Sequence, residues 1–124
     1  MADLRLPWRS SNWAIDILGY VLRDASVLRA TLEALTPGDF IFRRALVVAL
    51  GLLGAVVPVE MALGDPRDEM DVEAFVLGAS LAGPVEGEAA AECAYRYATS
   101  GAARSAADRA LACLQAGDLL GVIG

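Results

Sequence analysis

The chain has 124 residues, enough for one domain with a single modest core that buries roughly two-thirds of its unfolded surface. Hydrophobic residues make up 56% of it, much of that alanine, and the formal net charge is −6, with arginine as the only basic residue type besides the N-terminus. An acidic chain with scattered arginines neutralises phosphates poorly, so direct nucleic-acid binding is not expected.

The residue types that are missing exclude several chemistries. Without histidine there is no imidazole base, no Ser-His or Cys-His nucleophile pair, and no imidazole metal ligand. Without lysine a phosphate-binding P-loop cannot be completed and no Schiff base can form. Paired-carboxylate chemistry is left, but no nucleophile, Gly-rich loop or Arg clamp stands at a recognisable spacing to support it. The reading is non-catalytic, with no catalytic residue, cofactor or metal expected. Cys93 and Cys113 are too few for a disulfide scaffold or a four-ligand zinc site and read as buried, reduced thiols.

In chain order, residues 1–11 carry Leu6, Pro7 and Trp8 without periodicity and read as an extended arm. The N-terminus is not a signal peptide. From residue 12 to 22, Ala14, Ile17, Leu18, Val21 and Leu22 recur at three- and four-residue steps, the stripe of a first helix. Asp24 to Ser26 caps a second, with Val27, Leu28, Thr31, Leu32 and Leu35 on its apolar face. Thr36-Pro37-Gly38-Asp39 is the strongest local signal: an N-cap, a proline at the first helical position and an acid reaching back. That turn is expected to bring Phe40 and Phe42 to the core. An apolar helix over 42–55 follows. Its run from 45 to 57, behind Arg43-Arg44, invites a membrane reading, but about thirteen residues fall short of the roughly twenty a span needs.

Pro58 forces an extended step, and a short helix covers 60–63. Asp65, Asp68, Glu69, Asp71 and Glu73 lack the spacing of a calcium loop and read as a solvated turn, with Asp71 capping the next helix. Val72, Phe75, Val76 and Ala79 mark that helix, which stops at Gly83-Pro84. From Glu86 to Gly117 an alanine-rich stretch broken at Ser100-Gly101 reads as two helices in an antiparallel hairpin. A tight turn near 100–102 puts Cys93 and Cys113 at nearly the same height. The fold class is all-α, a compact bundle followed by a hairpin, in a single domain over 1–124: arm 1–11, bundle 12–83, hairpin 84–119.

Leu6-Pro7, Leu18-Gly19, Leu22 with Asp24, and Thr36-Pro37-x-Asp39-Phe40 follow one another along the chain. Arg43/Arg44, Gly54, Pro58-Val59-Glu60, Leu63 and Ala94-Tyr95-Arg96 continue the series, which spans residues 4 to 118. This order of landmarks resembles the N-terminal domain of DnaB-type bacterial replicative helicases, where the first four mark the arm, first helix and cap. The resemblance implies a cytoplasmic interaction module without ATPase chemistry. Its hairpin would pair with a second copy, as a dimer or trimer of dimers, and the helicase, its loader or primase would be its partners. A free-standing phage or plasmid regulator of such a helicase is the alternative, ahead of a small membrane-associated protein. The exposed hairpin positions Tyr95, Arg96, Tyr97, Arg104 and Arg109 are the expected interaction residues.

Overall fold

The computed structural model describes residues 24–36 and 38–118. The expected arm, the first helix over 12–22, Pro37 and the landmarks at Leu6-Pro7, Leu18-Gly19 and Leu22 lie outside the described residues. Among those described there are six α-helices and no strand: α1 Ala25–Ala34, α2 Phe40–Leu52, α3 Val59–Ala62, α4 Glu69–Ala82, α5 Pro84–Tyr97 and α6 Gly101–Gln115. The protein is an all-α bundle.

Asp24 starts α1 by accepting a hydrogen bond from the Ser26 amide at 2.8 Å, and this capping holds its carboxyl below the usual range. Only Leu28 and Leu32, one turn apart, are buried on α1. Val27 and Thr31, expected on the same face, are exposed instead, and Thr31 Oγ1 donates back to the Val27 carbonyl at 2.9 Å. A short helix at the edge of the bundle needs only a narrow stripe.

The cap before α2 forms in part. Asp39 Oδ2 reaches back to accept from Thr36 N at 3.1 Å and Thr36 Oγ1 at 2.8 Å, but the helix begins at Phe40, with Asp39 as its N-cap. That later start changes what faces inward. Phe40 and Phe42 are about half exposed, contrary to expectation, and burial sets in at Arg43 and continues without a break to Gly51. The apolar run is thus a core helix of 13 residues, stopped by Gly54 at φ +85°. Among the described residues no helix is long and apolar enough to cross a membrane.

α2 lies directly on α4. A Cβ on Gly51 would come within 1.9 Å of the Gly78 carbonyl oxygen, and one on Gly78 within 2.7 Å of that of Val47. Two glycines let the backbones touch. α4 is buried from Asp71 to Ala79 and packs against α2, α5 and α6, which makes it the central helix of the bundle. Its N-cap is Asp68, which accepts from the Met70 amide at 2.8 Å; Asp71, expected as the cap, sits one turn later in the core.

α5 and α6 present alanine to the interior: Ala90, Ala91 and Ala94 from one, Ala103, Ala106, Ala107 and Ala110 from the other. Side chains this small bury little area each, so the gain comes from many close backbone-level contacts. The two helices pack on each other and both pack on α4, so they are part of the bundle rather than an appendage to it. Their connection is Ala98–Ser100, with Ser100 Oγ capping α6 by accepting from Ala103 N at 3.0 Å. The turn is centred near residue 99, so Cys93 lies six residues before it and Cys113 fourteen after. At a rise of about 1.5 Å per residue, helices folded back on each other place them roughly 12 Å apart in height, beyond the reach of a disulfide. Equal height requires a midpoint at residue 103, four residues beyond this turn, so that expectation is corrected; both thiols are free and half-buried rather than buried.

Candidate protein-interaction surface

The residues singled out from the sequence divide into two groups. Tyr95, Arg96, Tyr97 and Arg104 are exposed, with the two tyrosine rings about 40% accessible. Neither ring fills the core. The inward stripe of α5 is claimed by Ala90, Ala91 and Ala94, and the residues after Ala94 rotate outward. Arg109 is exposed as well but engaged: its Nη2 donates to Glu73 Oε2 at 2.8 Å, tying α6 to α4.

The outer faces of these helices are polarised along their length. Glu86, Glu88 and Glu92 are exposed over the first three turns of α5, whereas Arg96 and Arg104 are exposed close to the turn. On its other side the turn is bonded to the loop before α4: Ser100 Oγ donates to the Arg67 carbonyl at 2.8 Å and Thr99 N donates to that of Pro66 at 3.0 Å, bringing the Asp65–Arg67 ion pair beside it. Within a chain of net charge −6, one end of the α5–α6 pair is therefore positive and the other negative.

Beneath that turn lies an ion network that sequence reasoning took for a solvated loop. Arg44, inside the core helix, donates from Nε to Asp71 Oδ1 at 2.6 Å and from Nη2 to Asp68 Oδ2 at 2.7 Å. Asp71 Oδ2 also accepts from the Asp65 amide at 3.0 Å, which fixes the loop after α3. The face of the guanidinium lies 5.1 Å from the Phe40 ring centre and holds that exposed ring in place. Burial pushes the Asp71 carboxyl above the ordinary aspartate range, against the pull of Arg44 and the Asp65 amide. Glu73 is raised as well, again chiefly by burial, with Arg109 opposing; its Oε1 is buried without a hydrogen-bond partner. Asp65 is lowered by its exposed bonds to Arg67. The signal for this network was present in the sequence. Arg43-Arg44 interrupts an apolar run, and Asp68 and Asp71 are three apart, hence on one side of a helix.

Arg43 is the remaining buried cation, 7% exposed. Nη2 donates to the Thr36 carbonyl at 3.3 Å, while Nη1 has no acceptor and rests against Gly64, where a Cβ would lie 2.5 Å from it. Arg43 and Gly64 stand between two clefts. One, of about 280 Å³, is walled by Phe40 and the paired Asp65, Asp68 and Asp71. The other, of about 450 Å³, opens between α1, α3 and the end of α5, with Leu35, Met61, Pro66 and Tyr97 among its walls. Among the described residues no group of His, Cys, Asp and Glu could hold a metal ion.

Compared with protein-family models, with curated proteins and with solved structures, the chain matches none.

Proposed function

We propose that this chain is a non-catalytic, cytoplasmic protein–protein interaction module of DNA replication, built like the N-terminal domain of DnaB-type helicases. It self-associates through the outer faces of α5 and α6 and engages a replicative helicase, its loader or primase. The observation that carries the reading is the division of labour in those two helices. Their inner faces are consumed by alanine contacts with α4, while Tyr95, Arg96 and Arg104 are left outside, a combination enriched at interface centres. The landmark order in the sequence, from Thr36 to Arg96, supports the same family.

The charge polarity says how two copies would meet. A two-fold pairing uses the same patch on both partners, and a two-fold axis across the helix pair sets residues near one end against those near the other. With Arg96 and Arg104 at one end and Glu86, Glu88 and Glu92 at the other, an antiparallel pairing brings opposite charges together at both ends. A parallel one stacks like on like.

The test is the mass in solution across a concentration series, by light scattering after size exclusion. A dimer or a trimer of dimers is the expected result, reverting toward monomer at high salt and in Arg96→Glu with Arg104→Glu. A monomer at all concentrations sinks self-association. Arg109 is unsuitable for this test, because its loss also strands buried Glu73.

A further inference from the structure

The cleft between α1, α3 and the end of α5 borders the hairpin surface at Tyr97, but Tyr95, Arg96 and Arg104, which carry the self-association reading, do not line it. We infer that it docks an amphipathic segment of a partner protein, with apolar anchors in the cleft and arginine or lysine against Glu33 and Glu60. The inference deepens the interaction-module reading and rests on it.

Three features together select that occupant. The cleft is open and shallow, and its volume of about 450 Å³ has room for one or two side chains. Its floor is formed by core residues, Leu32 and Leu63, each 2% exposed, and the partly exposed Leu35, Met61 and Tyr97 extend the apolar lining outward. The charged groups at its mouth, Glu33 and Glu60, are both acidic and both exposed, with no ion pair of their own among the described residues. On a chain of net charge −6 this rim repels an acidic segment and draws a basic one. Arg43 lies at the inner wall with its Nη1 buried against the bare backbone of Gly64, out of reach of a docked group. A helix suits the other requirements, since apolar anchors one turn apart share a face and basic side chains can follow them. The occupant is therefore best described as a basic amphipathic helix.

The probe is a synthetic helical peptide with a Leu-x-x-x-Leu pair followed by arginines, compared with its counterpart carrying glutamates in their place. Binding to the whole chain is followed by amide chemical shifts, and affinity by fluorescence anisotropy. The arginine peptide is expected to bind saturably, moving the amides of 32–35, 60–66 and 97, while the glutamate peptide does not bind. Glu33→Arg with Glu60→Arg, both on the surface, should weaken the arginine peptide by about tenfold and let the glutamate peptide bind. No saturable binding below about 1 mM overturns the inference, as does an unchanged affinity in the double variant. Shifts confined to the outer faces of α5 and α6 overturn it too, and leave the self-association reading intact; loss of self-association with the cleft still binding reports the reverse.

Discussion

At the scale of single residues, the fold rests on one choice that its composition makes expensive: burying charge. Arg44, Asp68 and Asp71 satisfy one another so fully that removing one member costs more than the group contributes. Arg44→Ala leaves Asp71 charged and unpaired in the core, and is expected to destabilise the fold by about 3–5 kcal/mol in urea unfolding. A loss below about 1 kcal/mol would mean that Asp71 finds water or neutralises at little cost. Glu73 makes a different prediction, because its partner Arg109 is 44% exposed on the side chain and its Oε1 has no partner at all. A carboxyl whose folded pKa is raised holds its proton more tightly in the folded state. The stability this gives is complete below the unfolded value, 4.5 for Glu73 and 3.8 for Asp71, and is lost as pH rises through the folded value. Asp24, Asp39 and Asp65 are lowered and act oppositely, contributing above 3.8 and losing it as pH falls further. Melting temperature should therefore rise as pH is brought down from neutral toward 4.5, then fall below 3.8. In Glu73→Gln the rise should shrink, and a full-sized rise in that variant would assign it to another group.

At the scale of elements, contact between backbones matters more than the size of side chains. Gly51 and Gly78 are where α2 and α4 touch, and no side-chain movement can relieve a Cβ lodged against a carbonyl. Gly51→Ala must push the two helices apart, costing about 1–3 kcal/mol or more. Gly101→Ala is the control, at the start of α6 with nothing within 4 Å, and should stabilise by about 0.4–1 kcal/mol. Equal effects from the two would remove the close crossing from the account. These helices were largely legible in the sequence, and their inward faces partly so. Periodicity found α4, α5 and α6, and the length of the apolar run separated a core helix from a membrane span. The errors share one cause: local signals fix where a helix starts only to within a turn. A start at Phe40, three residues past Pro37, left Phe40 and Phe42 outward. A cap at Asp68 instead of Asp71 converted an assumed surface acid into a core ion. A turn centred near 99, four residues short of the midpoint between Cys93 and Cys113, separates the cysteines. Tyr95, Arg96, Tyr97, Arg104 and Arg109 were read correctly as surface residues, because alanine so plainly marked the opposite face; Arg109, five residues beyond Arg104 on the same helix, also has a buried partner, Glu73, that no local pattern could reveal.

At the scale of the whole molecule, α4 joins the parts, and the turn between α5 and α6 is bonded to the loop that precedes it. That loop in turn is held by Asp71 through the Asp65 amide. Such a chain of contacts ties a partly exposed turn to the core. Hydrogen exchange makes the consequence measurable. Turn amides ordinarily exchange through small local openings, far below the free energy of global unfolding. The Thr99 amide, bonded to the Pro66 carbonyl at 3.0 Å, can be freed only by lifting the turn off the loop between α3 and α4. It should exchange as slowly as amides in the middle of α4 and speed up in Ser100→Ala, whose hydroxyl holds the neighbouring carbonyl of Arg67. One slow proton in a turn would then act as a sentinel, reporting whether the α5–α6 pair is seated on its bundle or detached from it.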